Sequence, residues 1–176
     1  MIELRSLKRL RFFAGQLLTA DDLALEQQYF LEKLKRHNRS LHGFGIVSGL
    51  KVTVNSGQII VEPGLALDCE GNELVIPSAQ SVVSPPSTDN WHTAFVNVRF
   101  VEERAELVPA TETEETPTLI ESFQLALAPE NTNRGHRHLR ARWLACGQPH
   151  ALTIAKVRHG QQGWRIDGGY RPPAIK

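Results

Sequence analysis

The chain has 176 residues, of which 41% are apolar and 22% charged, with a formal net charge of +1. This is ordinary globular composition, long enough to bury a core of its own as one domain or as one domain with a protruding helical arm. So small a net charge gives no electrostatic case for nucleic acid or a membrane surface as an obligate partner.

Residues 1–18 are basic and apolar, with Arg5, Lys8, Arg9 and Arg11 ahead of the pair Phe12 and Phe13. They lack the uninterrupted apolar core of a signal peptide, and no run in the chain approaches the ~18 apolar residues of a membrane span. Synthesis in the cytoplasm is expected, with any extracellular role reached by lysis or inside a released particle. The stretch AGQLLTADDL then announces a helix. Thr19 is a good N-cap, Asp22 sits where a capping box wants an acid, and Asp21 faces the positive end of the dipole. Leu23, Gln27, Phe30, Leu34 and Leu41 follow at helical spacing, with a second line at Leu25, Tyr29 and Glu32. Acids lead and Lys33, Lys35, Arg36 and Arg39 trail, as the macrodipole favours. The pattern predicts a helix over about 20–41, stopped at Gly43 and Gly45.

From there the period changes. GIVSGLKVTV, GQIIVEPGLALD and NELVIPS are short, rich in Val, Ile and Leu, and split by Asn-Ser-Gly, Pro-Gly and Glu-Gly-Asn turns. HTAFVNVRFVEE reads as a strand, with Phe95, Asn97 and Arg99 alternating against Ala94, Val96, Val98 and Phe100. LIESFQLALAP is a further strand, Asn131–His138 a solvated polar loop, and PHALTIAKVRHG with GWRIDGGYRPP a closing hairpin around Gly160–Gly163. Residues 102–117, acidic and rich in Thr and Pro, read as an exposed loop. The fold class expected is α+β, mainly β: one long N-terminal helix followed by an antiparallel β-sandwich or barrel-like domain. The corresponding division is a helical segment over 1–45 and a β-domain over 46–176.

No catalytic constellation stands out. Cys69 and Cys146 are the only cysteines, without CxxC spacing, which excludes a disulfide framework and fits a reducing compartment. His37 and His42 lie five apart, about 140° around an α-helix, so they do not share the face that helical zinc ligands need. His136 and His138, with His150 or His159, are a second metal candidate; a solvated loop is the plainer reading. Asp68 and Glu70 beside a Gly-Asn turn read as turn chemistry, as does Asp167. GFGIVSG follows a helix and enters a strand, the reverse of a dinucleotide-binding loop. The joint formed by His37, Asn38, Arg39, His42, Gly43 and Gly45 is therefore read as a rigid elbow between helix and sheet, with Asn38 and His42 buried and bonded to backbone.

The string RFFAGQLLTADDLALEQQYFLEKLKRHNRSLHGFGIVSGLKV, followed by IIVEPGLALDCEGNELVIP, resembles a group of bacterial proteins encoded near phage-tail-like contractile injection systems. The shared pattern is a phenylalanine-rich Gly-Gln-Leu-Leu start and a helix carrying Glu-Gln and Tyr. A His-Asn-Arg…Leu-His-Gly joint and a Pro-Gly…Asp…Gly hairpin complete it. TLIESFQLAL and ALTIAKVR…GWRID also fit, so the resemblance spans most of the chain. Phe44 and Ser48 stand where the pattern carries tryptophan and often cysteine, and residues 102–117 lack the cysteines of some members. Both departures argue against a thiol-ligated metal. The resemblance implies a non-enzymatic structural component of a contractile particle, at the baseplate, fibre or a connecting adaptor, with no cofactor.

Phe12, Phe13, Leu23, Tyr29, Phe30, Leu34 and Leu41 form the expected assembly surface, since the β-region has enough Val, Ile and Leu to close a core on itself. The partners expected are copies of the chain, a trimer ahead of a dimer, and other tail or baseplate proteins. Two further classes fit the sequence. One is a β-module stacking Trp91, Trp143, Trp164 and Tyr170 on a surface glycan. The other is a small metal-dependent enzyme built on the histidines.

Overall fold

In the computed structural model the described residues are 6–84, 91–104, 118–135 and 150–175. Helix α1 runs from Ala20 to His37 and opens on the expected capping box. The Thr19 hydroxyl accepts from the Asp22 N–H at 3.2 Å, and the Asp22 carboxylate accepts from the Thr19 N–H at 3.0 Å. The Thr19 N–H first, then the Thr19 hydroxyl 2.8 Å from the same carboxylate oxygen, hold the Asp22 carboxyl below its ordinary range. The helix does not continue as an α-helix to 41. Asn38–His42 widen into a π turn, closed where the Gly43 N–H reaches back to the Asn38 carbonyl at 3.0 Å.

The rest is strand. In chain order these are β1 (Gly45–Gly49), β2 (Val52–Asn55), β3 (Gln58–Val61), β4 (Gly64–Leu67), β5 (Glu73–Ile76) and β6 (Gln80–Val82). The longer β7 (Thr93–Arg104), β8 (Leu119–Ala128) and β9 (Ala151–Gly160) follow, and then the short β10 (Gly163–Ile166). They form three antiparallel sheets, ordered β1-β4-β5, β2-β3-β6 and β10-β9-β7-β8. The class is α+β and mainly β, as the change of period from helix to strand predicts. Alternation works cleanly in β5, where Leu74 and Ile76 are buried while Glu73 and Val75 face out. These residues join Leu50, Ile59 and Val61 against Val96, Val98, Leu152, Val157 and Trp164 in one apolar cluster. Each such side chain contributes about 1.5–3 kcal/mol when fully buried.

Three sequence expectations change. Glu102 and Glu103, claimed both by the HTAFVNVRFVEE strand and by the 102–117 loop, lie in β7, and so does Arg104; the three pair opposite Glu121, Ile120 and Leu119 because the hairpin ladder outlasts the apolar pattern. The remainder of the acidic loop, 105–117, lies outside the described residues. Asn97 is buried, not on an outward polar face. The β7–β9 register shifts between Val96 and Asn97, and the Asn97 side-chain oxygen Oδ1 accepts from the Thr153 hydroxyl at 2.6 Å. Nor is the start of Asn131–His138 a solvated loop. Thr132–Gly135 form a 3₁₀ turn, with Thr132 and Asn133 hydrogen-bonded to Thr153. A polar side chain meets its partners inside, where period alone assigns it to solvent.

Candidate functional site

The joint between α1 and the sheets is built on the β4–β5 loop, residues 68–72. Asp68 organises that loop: its carboxylate accepts from the Glu70 N–H at 2.8 Å, the Asn72 N–H at 2.9 Å and the Asn72 side-chain amide at 2.7 Å. This is the turn chemistry its neighbours predict. The loop so shaped presents two carbonyls to the end of the helix. Asn38, buried, donates its amide to the Gly71 carbonyl at 3.0 Å, and the Arg39 guanidinium donates to the Glu70 carbonyl at 3.0 Å. Gly71 has to be glycine, since a Cβ there would sit 2.3 Å from the Lys35 carbonyl oxygen. Below the joint, Gly45 is buried beneath the C-terminal tail, and a Cβ on it would meet the Pro173 carbonyl at 2.8 Å. The tail pairs there with β1, Ile46 donating to Pro173 and Ile175 to Ile46. Asn38 thus sits as expected, and His42 does not. His42 is exposed and bonds no backbone; its Nε2 lies 3.3 Å from that of His37. The π turn is the reason, because residues five apart come back over one another when the bonds run i to i+5.

The loop is tied a second time. Cys69 Sγ lies 3.0 Å from His150 Nδ1, and His150 Nε2 lies 2.7 Å from a Glu70 carboxylate oxygen. Thiol, imidazole and carboxylate in that order are the parts of an activated nucleophile. Here they link the loop to the residue just before β9. The clefts along 158–168, beneath β1 and β2, and beside α1 are all lined by other residues. Sequence reasoning missed this trio because its members stand 81 positions apart.

The remaining metal candidates do not converge. His150 immediately precedes β9 and His159 lies near its far end, about 30 Å away along an extended chain. His136 and His138 lie outside the described residues. Among the described residues, no three His, Cys, Asp or Glu side chains group as metal ligands. The aromatic platform is also dispersed. Trp164 is in the core, Trp91 is half-buried against it, and the Tyr170 hydroxyl is taken up by the Asn133 amide at 3.0 Å. Trp143 lies outside the described residues.

Along α1 the two apolar lines differ. Leu25, Tyr29 and Glu32 are half-buried and line a cleft with Ser6, Leu7 and Lys8 of the N-terminal segment. Leu23, Phe30 and Leu34 are 55%, 57% and 48% exposed, and Leu41, Phe12 and Phe13 are more than half exposed. No residue of the helix is buried.

No family model matches the chain, and no curated protein sequence does. Solved structures do. A chain of the type VI secretion system TssK-TssF-TssG baseplate subcomplex, determined by cryo-electron microscopy, superposes with a TM-score of 0.56 at 11% identity. The match covers 96% of this chain and 62% of that one. The crystal structure of TssK gives 0.57 at 14% identity over 96% and 44%. A chain of the type VI secretion baseplate complex gives 0.58 at 11% identity over 97% and 42%. The chain shares its fold with type VI secretion baseplate proteins. That system is phage-tail-like and contractile, so the likeness agrees with the resemblance carried by the residues. The chain spans between 42% and 62% of the length of these neighbours.

Proposed function

We propose that the chain is a non-enzymatic structural subunit of a phage-tail-like contractile particle, at its baseplate, a fibre or a connecting adaptor. The observation that carries this is α1. Its Leu23, Phe30 and Leu34 face is open in the single chain, and Leu41, Phe12 and Phe13 extend the apolar surface at either end. From Leu23 to Leu34 the open stripe runs about 17 Å along the helix, interrupted by Gln27, and so much large apolar surface open on one element is unusual on a monomer. The fold shared with baseplate proteins supports the same reading. In it residues 1–45 are the assembly arm and 46–176 the body, with the Asn38 and Arg39 bonds setting the angle between them. The partners are copies of the chain, a trimer before a dimer, or a neighbouring baseplate subunit. No described helix is long and apolar enough to cross a bilayer.

Light scattering on the purified chain, with and without the tail proteins of its own host, tests the proposal. A stable oligomer or a complex that Phe30→Asp dissolves is the expected result. A dispersed monomer that joins no tail-like particle overturns it.

A further inference from the structure

We propose that His37 and His42 form a two-histidine chelate for a borderline divalent cation such as zinc, nickel or copper(II), with water completing the coordination. The first argument is geometric. Two nitrogens each 2.0–2.1 Å from a tetrahedral metal stand about 3.3–3.4 Å apart. The two Nε2 atoms stand 3.3 Å apart, their rings tilted 60° to each other. As a hydrogen bond that separation is long, and between two exposed imidazoles it competes with water. The edge of a coordination polyhedron suits it better.

The second argument is electrostatic. The pair sits at the C-terminal end of α1, where the helix dipole and the last carbonyls favour a cation. Three basic side chains are close in sequence, and two of them are directed elsewhere: Arg39 to the Glu70 carbonyl and Lys35 to the Phe100 ring. Arg36 is exposed to solvent. The third argument is structural. His37 is the last residue of α1 and His42 the last of the π turn, so one ion bound to both would clasp the turn shut. Imidazole nitrogen suits zinc, nickel and copper and does not suit magnesium or calcium.

Titration of the full chain with zinc and copper(II) tests this, read by calorimetry, melting temperature and copper electron paramagnetic resonance. The wild type is expected to bind one ion per chain at this site, with imidazole nitrogen in the copper spectrum and a raised melting temperature. His37→Gln and His42→Gln keep a hydrogen-bonding amide, so their metal-free melting should match the wild type. Each should weaken the site by about tenfold or more and abolish the metal-dependent shift. His159→Gln, at the far end of β9, should leave it unchanged. If both glutamine variants bind zinc and copper as tightly as the wild type, the pair is only a hydrogen bond and the proposal fails.

Discussion

Asn38 and His42 are four positions apart, both polar and both at the end of a helix, yet the fold gives them opposite situations. Asn38→Ala would leave the Gly71 carbonyl without its donor, a loss of about 1–3 kcal/mol. For a chain of this size that lowers the melting temperature by about 2–10 °C. His42→Ala removes an exposed ring and should change metal-free stability by less than ~0.5 kcal/mol. Thermal melts of the two variants check this, and equal losses would show that the Asn38 bond is not what holds the joint. Asp167 is a second residue whose role is electrostatic. Its carboxylate meets the Lys156 ammonium at 3.0 Å and the Arg158 guanidinium at 2.9 Å. Lys156 first, then the Gly169 N–H, with Arg158 adding, lowers its pKa from 3.8 to about 2. The folded value lies below the unfolded one, so the stabilisation is present above about 3.8 and lost as pH falls towards 2. Urea midpoints for the wild type and Asp167→Asn should therefore differ at about pH 5 and converge as the solution is acidified through that window.

Elements were legible wherever a period or a cap speaks locally. Thr19 and Asp22 mark the start of α1, and Leu74 and Ile76 mark the inner face of β5, because those signals need only nearby residues. The contacts that make the joint were not legible. Asn38 meets Gly71 across 33 positions and Cys69 meets His150 across 81, and nothing in either local string announces the partner. The π turn was missed for a different reason: a reading at 3.6 residues per turn places His37 and His42 apart by construction. The β7–β8 hairpin shows the limit of composition as a guide. Its acidic end reads both as the end of a strand and as the start of a loop, and Glu102 stands directly opposite Glu121 in the ladder. Like charges facing each other across a sheet are destabilising, so Glu121→Lys should stabilise the hairpin by about 0.2–1 kcal/mol. A denaturant midpoint that falls in that variant would show that the two carboxylates are not neighbours in solution.

At the scale of the molecule, the main asymmetry is between a closed β-region and an open helix. The strands bury most of their apolar residues in one cluster, leaving Val47, Val75, Leu119, Ile120 and Ile166 open, whereas α1 touches the rest of the chain mainly through its C-terminal end and through the half-buried line of Leu25 and Tyr29. The two sides of the helix should therefore answer to mutation in different ways. Leu34→Asp, on the open stripe, should leave the metal-free melting temperature of a dilute monomer little changed, because about half of the side chain is already open to solvent. In an assembly the same change buries a carboxylate against apolar partners and should abolish association. Leu25→Asp should do the reverse: it disturbs the packing beside Leu7 and lowers monomer stability by about 1–3 kcal/mol. Sedimentation and thermal melts on both variants separate the outcomes. A Leu34→Asp chain that melts early but still assembles would mean that the stripe folds back on its own domain, and the assembly surface would have to be sought on the sheets instead.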